Sequence, residues 1–329
     1  MIKTLELKNF RGIKEGKIEL APMTILLGPN NSGKTTILEA LYLAPNPFRE
    51  APYSAHRVIG LIQSLHKTLE SRGYLFLLRN YVSGKAEIKC DYVRGLRNIL
   101  HFIIIKEDNK ILVKSLTYGR TLGSLDIYSD HIHPKYDRPL FEDTLFYSSA
   151  LRQEAFEYIK QNWISILNLG ICRGIASETS NFVWEDYLDI TVEPFTGQLA
   201  IYAYLKDGRR IRLGDLGEGV QNYMLIRILY EYEKPDILLW DDVEAHMNPK
   251  MLLGIGEWFS KLVEKGTQVI VATHSLEATK VLASLIMRTK ICLTTLEDGI
   301  LKVKSLTLEE VEGLLEAGID VRASAEVLI

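Results

Sequence analysis

A glycine-rich stretch near the start of the chain, residues 28–36, has the residue types and spacing of a phosphate-binding loop. It reads GPNNSGKTT, that is Gly28, four residues, then Gly33, Lys34 and Thr35. Glycines let the backbone curl so that its N–H groups point at an anion. Lys34 would reach the β- and γ-phosphates of a nucleotide, and the Thr35 hydroxyl would ligate Mg²⁺. The alternative interpretation is an ordinary glycine-rich turn.

The residues on either side of this loop predict a strand and a helix. Residues 23–27, MTILL, form a short apolar run typical of a buried parallel strand. Residues 36–41 are helix-compatible, and a helix N-terminus behind the loop would add roughly half a positive charge. The stretch therefore has the strand–loop–helix context that a phosphate-binding motif requires.

Two later apolar runs end in side chains that could complete a nucleotide site. Residues 237–249, ILLWDDVEAHMNP, predict a strand that ends in two carboxylates. We expect Asp241 to hold Mg²⁺ through water and Asp242 to act as a general base on the attacking water. Residues 268–275, QVIVATHS, predict a strand that ends at His274, where ligands bind in parallel sheets. Each pattern by itself also fits a strand followed by a polar turn.

A second glycine-rich segment, residues 214–221, precedes a predicted helix. It reads GDLGEGVQ. Its functional interpretation is another phosphate-facing helix N-terminus, able to contact a γ-phosphate bound by another subunit. The alternative is a plain loop between a hairpin and a helix.

The four segments follow one another in the order seen in ABC-type ATPases. The chain resembles the ATPase heads of the SMC, RecF and OLD (overcoming lysogenization defect) branch, and more narrowly its stand-alone AAA-family ATPases that lack a fused nuclease domain. The resemblance is carried by the opening LELKNFRGIK, the loop GPNNSGKTT, WDDVEAHMNP where the family usually has D-E-P-E-A-H, and AGIDVR at 317–322. It covers residues 1–44 and 200–329 well and the middle weakly.

The resemblance implies a role for each matching residue. Asp241 would be the Walker B carboxylate, Thr35 and Asp241 the Mg²⁺ ligands, and His274 the switch histidine. Asp242, His274 and Glu244 would be the catalytic set, with Glu244–His246 as the D-loop at a dimer interface. Arg11, from the NFRG turn, would lie near the nucleotide; the alternative is a turn-capping surface charge. The Walker A loop would bind ATP through Gly28, Pro29, Asn30, Asn31, Ser32, Gly33, Lys34, Thr35 and Thr36. The signature that faces the partner's ATP would comprise Leu216, Gly217, Glu218, Gly219 and Gln221.

Three departures from the family pattern matter. The catalytic position is usually Glu, and Asp242 is one methylene shorter. A displacement of about 1 Å can cost on the order of 10²-fold in rate, so we expect slow hydrolysis unless the backbone moves in or Glu244 assists. Gly217 replaces the usual signature Ser, so contacts across the dimer would come from backbone N–H groups. The Q-loop glutamine is not placed; Gln63 and Gln153 both remain open.

The predicted fold class is α/β: an ABC-type P-loop NTPase core with an N-terminal antiparallel edge sheet and an inserted β-meander plus helical lobe. We expect one head over 1–329, with the nucleotide-binding core at 1–44 and 200–329 and the insert at 45–199. The chain has 329 residues and a net charge of −3, and its composition is that of an ordinary globular protein. No apolar run reaches the ~18 residues of a membrane helix, and no signal-peptide pattern opens the chain. Three widely spaced cysteines suggest reduced thiols in a cytoplasmic protein.

The middle of the chain gives weaker signals. Residues 73–81, 86–93, 99–106 and 110–117 predict a meander of strands, residues 120–142 look turn-rich, and residues 150–168 look helical. Asp130, His131 and His133 could offer metal ligands, although a solvated loop fits as well. A basic and aromatic cluster could form a nucleic-acid platform or a solvent-facing strand pair. Its members are Arg79, Lys85, Lys89, Arg94, Arg97, Tyr74, Tyr81 and Tyr92.

The sequence therefore predicts an ATPase that uses ATP and Mg²⁺, forms a homodimer on ATP binding, and acts in DNA repair or phage defence through a nucleic acid or a protein effector. An ATP-loaded switch or scaffold with negligible hydrolysis is the alternative. A transporter head with a membrane partner fits less well, because the separation between Lys34 and Asp241 is too long and no Q-loop is found.

Overall fold

The computed structural model of the chain contains one sheet of 13 strands and a second sheet of three strands. It describes residues 1–44, 49–53, 57–69, 73–94, 96–107, 110–117, 120–127, 132–136 and 144–329. The strands are β1 (Ile2–Phe10), β2 (Ile13–Glu19), β3 (Met23–Leu27), β4 (Lys85–Arg94), β5 (Leu96–Glu107), β6 (Lys110–Thr117), β7 (Arg120–Ile127), β8 (Ile132–Tyr136), β9 (Thr144–Tyr147), β10 (Tyr187–Phe195), β11 (Gln198–Leu205), β12 (Arg210–Arg212), β13 (Ile237–Trp240), β14 (Gln268–Thr273), β15 (Thr289–Glu297) and β16 (Ile300–Leu306).

Ten α-helices lie in the described part of the chain. They are α1 (Lys34–Leu43), α2 (Val58–Leu65), α3 (Arg152–Gln161), α4 (Trp163–Asn168), α5 (Ile171–Ser180), α6 (Glu218–Glu233), α7 (Pro249–Glu264), α8 (Leu276–Leu285), α9 (Leu308–Glu316) and α10 (Ala325–Leu328). Capping residues fix several starts. Asn248 accepts the Met251 N–H ahead of α7, and Ser275 accepts the Ala278 N–H ahead of α8. None of the described helices is long and apolar enough to cross a lipid bilayer.

The large sheet runs in the order β8-β7-β6-β5-β4-β1-β2-β16-β15-β3-β14-β13-β9. From β15 to β9 neighbouring strands are parallel, and β3, β13 and β14 are buried along their whole length. Helices cover this section, with α1 and α7 packed against β14. Continuous apolar runs such as MTILL and ILLW suit strands that are covered on both faces. The mixed α/β sheet and its parallel core agree with the predicted fold class.

The N-terminal antiparallel pair forms as expected, but it does not lie at an edge. β1 pairs with β2 on one side and with β4 on the other, and β2 also pairs with β16. The inserted meander β4–β8 therefore continues the core sheet. Hydrophobic residues of β1, such as Leu5 and Leu7, are buried between these neighbours.

Two predictions for the insert are wrong. Residues 73–81 form two short 3₁₀ turns, because Asn80 and Tyr81 adopt positive φ while Leu77 and Leu78 are buried beside Phe10. Residues 120–127 and 132–136, expected to be turns, form β7 and β8. These strands finish the meander at the sheet's edge, where a strand needs few apolar residues.

The second sheet, β10-β11-β12, packs with the helices that follow β9. α5 lies against β10, and both α3 and α5 contact α6. Residues 150–168 were expected to be helical, and they form α3 and α4 after one 3₁₀ turn at Ser149–Leu151. This layer carries the loop of residues 213–217 that leads into α6.

Candidate functional site

Four parallel strands end at one edge of the large sheet and place their loops side by side. Trp240 of β13 pairs with Val271 of β14 and with Tyr147 of β9. Thr273 of β14 pairs with Leu27 of β3. The loops after β3, β9, β13 and β14 therefore open together at the carboxyl edge, where ligands bind in parallel α/β sheets.

The loop after β3 is shaped to receive an anion. Asn31 and Gly33 adopt positive φ, and α1 begins at Lys34 without a side-chain cap on its first N–H groups. Gly28 has no space for a side chain, since a Cβ there would lie 2.6 Å from the Thr294 carbonyl oxygen of β15. The loop is thus bound tightly to the sheet on one side and presents backbone N–H groups at a helix N-terminus on the other.

Lys34 is folded back over this loop. Its ammonium donates to the carbonyl oxygens of Gly28 at 2.9 Å and Pro29 at 2.8 Å. The residue is only 8% exposed, and burial lowers the pKa of its ammonium despite three nearby carboxylates. The charge lies inside the loop, where it is available to an anion that enters.

Thr35 and Asp241 meet although they are 206 positions apart in the chain. The Thr35 hydroxyl donates to Asp241 Oδ2 at 2.9 Å. The other carboxylate oxygen, Oδ1, is buried and has no hydrogen-bond partner among the described residues. Burial, with a smaller contribution from Asp242, raises the pKa of the Asp241 carboxyl to about 7, and the hydrogen bond from Thr35 opposes the rise. A buried carboxylate oxygen without a hydrogen-bond partner is a favourable position for a cation.

Asp242, Glu244 and His274 form a second cluster beside Asp241. His274 Nδ1 lies 3.3 Å from Glu244 Oε1 and 3.7 Å from Asp242 Oδ1. Glu244 Oε1 also accepts the backbone N–H of His274 at 3.0 Å. One ligand atom from each of the three residues lies within 4.8 Å of the others. Asp242 is about half exposed and adopts a positive φ of 51°, so the chain turns sharply just after Asp241.

The segment Leu216–Gln221 forms the start of α6. Gly217 and Glu218 are exposed, whereas Gly219 is buried against the loop after β13. A Cβ on Gly219 would lie 2.3 Å from the carbonyl oxygen of His246. The Gln221 amide donates to the carbonyl oxygens of Leu216 at 2.6 Å and Gly214 at 3.2 Å, so this side chain holds its own loop together.

Comparison with known proteins identifies the family. A family model described as an AAA ATPase domain matches residues 1–168. The chain belongs to this AAA ATPase family. A second AAA domain model, whose description also names an AbiEii toxin and a type IV toxin–antitoxin system, matches residues 117–279.

Individual relatives of this AAA ATPase include RecF and OLD proteins, two of the groups that the sequence resembles. The DNA replication and repair protein RecF of Chlamydia caviae is 29% identical over 46% of the chain and 43% of RecF. RecF of Lactococcus lactis is 27% identical over 60% of the chain and 59% of RecF. The OLD nuclease of Thermus scotoductus is 49% identical over 13% of the chain and 8% of the nuclease. The chain thus spans less than two thirds of the length of each of these relatives.

Solved structures support the same fold. An SMC head bound to the C-terminal winged-helix domain of ScpA superposes with a TM-score of 0.60 at 17% identity, over 95% of the chain and 99% of the head. An SMC head bound to the C-terminal domain of ScpA from Pyrococcus furiosus gives 0.59 at 14% identity, over 96% of the chain and 98% of the head. The AAA ATPase has the fold of an SMC head.

Arg11 of the AAA ATPase lies in the turn between β1 and β2, and its side chain contacts α1. Its guanidinium pairs with the carboxylate of Glu39, which is fully buried, and the other Glu39 oxygen lies 2.8 Å from His66 Nε2. Arg11 therefore ties the turn between β1 and β2 to the helix behind the phosphate-binding loop. A direct role of Arg11 toward nucleotide stays a prediction.

β9, which completes the carboxyl edge where the candidate site lies, was not predicted from the sequence. The Tyr147 carbonyl oxygen accepts the Asp241 N–H at 2.9 Å, and the Tyr147 hydroxyl donates to Asn222 of α6 at 3.0 Å. This strand therefore connects the carboxylate loop with the helix that follows the glycine-rich signature. Its sequence, TLFY, is apolar but too short to show a period.

The structure gives the positions of the two Q-loop candidates that the sequence left open, Gln63 and Gln153. Ser148 and Ser149 follow β9 directly, while Gln153 is exposed within α3 and Gln63 lies in α2. Neither glutamine stands at the strand end.

The structure describes only some of the residues in the possible metal site and the basic and aromatic cluster of the middle region. Asp130 and His131 lie outside the described residues, as do the side chains of Arg94, Arg97 and His133. Lys85 and Lys89 share one acidic partner, Glu87, at 2.7 and 4.0 Å. Tyr92 is buried and cannot stack on a base, so that part of the predicted platform is wrong, while a nucleic-acid platform formed by the other residues stays a prediction.

Proposed function

We propose that this AAA ATPase binds Mg²⁺ and ATP in the loop of residues 28–36 and hydrolyses the nucleotide, as one of two heads that dimerise head-to-tail around two ATP molecules. The observation that carries the proposal is the contact between Thr35 and Asp241, which brings a hydroxyl at the start of α1 onto a carboxylate at the end of β13. Phosphoryl transfer requires such positioning of the groups around the triphosphate.

The donor set fits Mg²⁺. Mg²⁺ prefers oxygen ligands, and the Thr35 hydroxyl and the Asp241 carboxylate supply them, with Asp241 Oδ1 buried and without a partner among the described residues. When bound, the ion would neutralise negative charge that develops on the phosphates during transfer.

The remaining steps fall to residues of this chain. Lys34 would exchange the carbonyl oxygens of Gly28 and Pro29 for phosphate oxygens. Their negative charge would favour the charged ammonium, which burial disfavours. Asp242 would accept a proton from the attacking water, and His274 would position that water or contact the γ-phosphate. Glu244, which accepts the His274 N–H, would support this arrangement.

The second head would complete each site. Gly217 and Glu218 are exposed at the N-terminus of α6, where backbone N–H groups favour an anion. We propose that they face the partner's γ-phosphate, with Leu216, Gly219 and Gln221 holding the loop in shape.

Steady-state phosphate release tests the enzymatic part. Lys34→Ala and Asp242→Asn should both fall far below the wild type, because one removes the phosphate contact and the other the proton acceptor. Lys280→Ala is the matched control, since Lys280 pairs with Glu312 on the surface. Equal rates in the wild type, Lys34→Ala and Asp242→Asn would contradict the proposal.

For the biological role, we propose DNA repair or phage defence, with a nucleic acid or a protein effector as partner. The RecF relatives are named for DNA replication and repair, and the two SMC heads were solved with parts of ScpA. Phosphate release with and without duplex DNA tests whether a nucleic acid is the partner. An unchanged rate of release and no DNA binding in the presence of ATP would favour a protein effector.

The second candidate is an ATP-loaded switch with negligible turnover. The shorter side chain of Asp242, half exposed and 3.7 Å from His274, favours it. Sizing chromatography with ATP, with ADP and without nucleotide, on the wild type and Asp242→Asn, separates the two. An ATP-dependent dimer of the wild type that persists for hours without phosphate release supports the switch, and rapid turnover excludes it.

A further inference from the structure

The C-terminal segment of the chain reaches back to the strand-end histidine. After α9 the backbone turns at Gly318, with φ of 78°, and the Ile319 N–H donates to the Leu314 carbonyl oxygen. Val321 and Ala325 are fully buried. The segment of residues 317–325 is therefore packed onto the body of the protein and can hold another group in place.

Within this segment Arg322 is oriented by Asp320. The Asp320 carboxylate accepts from Arg322 Nε at 3.0 Å, from Nη2 at 2.6 Å and from the Arg322 backbone N–H at 2.9 Å. This two-point side-chain contact fixes the plane of the guanidinium. It also lowers the pKa of the Asp320 carboxyl to about 2, so the pair stays charged at neutral pH.

The remaining guanidinium nitrogen contacts the backbone of the candidate site. Arg322 Nη1 donates to the carbonyl oxygen of His274 at 2.7 Å. On the other side of the same residue, the His274 N–H donates to Glu244. Thr273 and Ser275 add local hydrogen bonds that start α8. His274 is thus held through its backbone at both ends.

Within the described part of the chain, the side chain of His274 has no comparably close contact. It is 56% exposed, and its nearest charged atoms lie at 3.3 and 3.7 Å. The direction of the imidazole therefore depends on the backbone around it. In this protein Arg322 supplies one of the two fixed points.

We propose that Arg322, oriented by Asp320, is a positioning residue that sets the place of the His274 imidazole for ATP hydrolysis. The inference rests on the proposed function, because it assigns a role within the same site. Among the described residues Arg322 bonds to Asp320 and His274 and not to Lys34, Thr35 or Asp241, so its loss should affect turnover and leave nucleotide affinity almost unchanged.

The first experiment compares steady-state kinetics of variants. Arg322→Ala should lower kcat by about 10- to 100-fold, as expected for a misplaced catalytic group, with KM for ATP within about twofold of the wild type. Arg322→Lys keeps a donor for the His274 carbonyl but loses the two-point contact, and should recover part of the loss. Lys304→Ala is the matched control, because Lys304 donates to the Leu328 carbonyl oxygen of the same tail and touches no site residue.

Two further measurements separate positioning from simple stability. In a His274→Ala background, Arg322→Ala should cause no additional loss of kcat, since both changes remove the same function. The His274 ring resonances in NMR, assigned by their disappearance in His274→Ala, should shift in nucleotide-free Arg322→Ala and stay in place in Lys304→Ala.

The outcomes are distinct. If Lys34→Ala releases phosphate as fast as the wild type, the proposed function fails. If Lys34→Ala is inactive while Arg322→Ala keeps the wild-type kcat, only this inference is overturned. This inference is also overturned if Arg322→Ala and Lys304→Ala lose kcat equally, or if the losses of Arg322→Ala and His274→Ala add. Unshifted His274 resonances in Arg322→Ala would overturn it as well, and this test works even when turnover is too slow to measure.

Discussion

At the scale of single residues, the candidate site holds two buried ionisable groups, Lys34 and Asp241. Burial lowers the pKa of Lys34 and raises that of Asp241, so each group is disfavoured in its charged form. Both are residues that an ATP phosphate and a divalent cation would pair. Perturbed groups of opposite sign that face the same cleft are characteristic of functional sites. The nucleotide-free protein thus tolerates an electrostatic cost that its ligands would relieve.

This cost predicts a pH dependence of stability. The Asp241 pKa of about 7 in the folded protein exceeds its ordinary value of 3.8, so the folded state binds this proton more tightly than the unfolded state. Stability should therefore fall as the pH rises from about 4 to 7 and level off above. At about 1.4 kcal/mol per unit, the loss is at most a few kcal/mol.

Asp241→Asn removes this ionisation. Its nucleotide-free melting temperature should change less between pH 5 and pH 8 than that of the wild type, and should exceed the wild type at pH 8, while Mg²⁺-dependent ATP binding weakens. Thermal unfolding across this pH range is the measurement, and Asp186→Asn, at an exposed carboxylate, is the control. Parallel curves for the wild type and Asp241→Asn would contradict the burial argument.

At the scale of elements, the loop after β13 and the start of α6 pack directly against each other. Gly219 lies against the His246 carbonyl oxygen, and Glu218 Oε2 lies 2.8 Å from His246 Nε2. The predicted D-loop and the predicted signature are therefore in direct contact within one chain. A displacement of one should move the other.

We expect Gly219→Ala to separate these two elements. Its Cβ would overlap a backbone oxygen, and overpacking of this kind costs about 1–3 kcal/mol. Gly217→Ala is the matched control two residues away, since a Cβ there meets nothing within 4 Å. Thermal unfolding should show a lower melting temperature for Gly219→Ala alone, and its ATP-dependent dimer should also be weaker. Equal melting temperatures for the two variants would show that the contact is loose.

At the scale of the whole molecule, one sheet joins the inserted meander to the nucleotide-binding core. β4 pairs with β1, and β1 pairs with β2, which in turn pairs with β16. The 45–199 insert also contributes β9 to the opposite end of the parallel section. The predicted insert and the core strands therefore share one hydrogen-bonded sheet.

Dimerisation can be tested at this scale without damage to the monomer. Gly217 is exposed and adopts backbone angles open to any residue, so Gly217→Trp should fold normally and block the approach of a second head. Gly313→Trp, at an exposed glycine of α9 with equally free surroundings, is the control. Sizing chromatography with ATP should show a dimer for Gly313→Trp and a monomer for Gly217→Trp. A dimer of both variants would exclude a signature-facing interface.

The apolar strands that lead to the candidate site were predicted well from the sequence. β3 has the expected bounds, and β13 and β14 begin at the expected residues. The failures are local. The apolar run at 73–81 lacks the backbone angles of a strand because Asn80 and Tyr81 turn it, and TLFY is too short to signal a strand. Arg322 belongs to the segment AGIDVR that carries part of the family resemblance, but its partner His274 is distant in sequence, so the sequence assigned it no role.

The sequence by itself determined that a glycine-rich loop, two apolar strands with polar ends and a second glycine-rich helix start are present, because strand and helix patterns and the turn residues between them are local properties. Only the tertiary structure decided which of these segments meet. The parallel pairing of β3, β14, β13 and β9 brings the Thr35 hydroxyl to the Asp241 carboxylate and the Tyr147 carbonyl oxygen to the Asp241 N–H. It also allows Arg322 to donate to the carbonyl oxygen of His274. Such contacts arise from strand register and packing between residues far apart in the chain, and no local pattern encodes them.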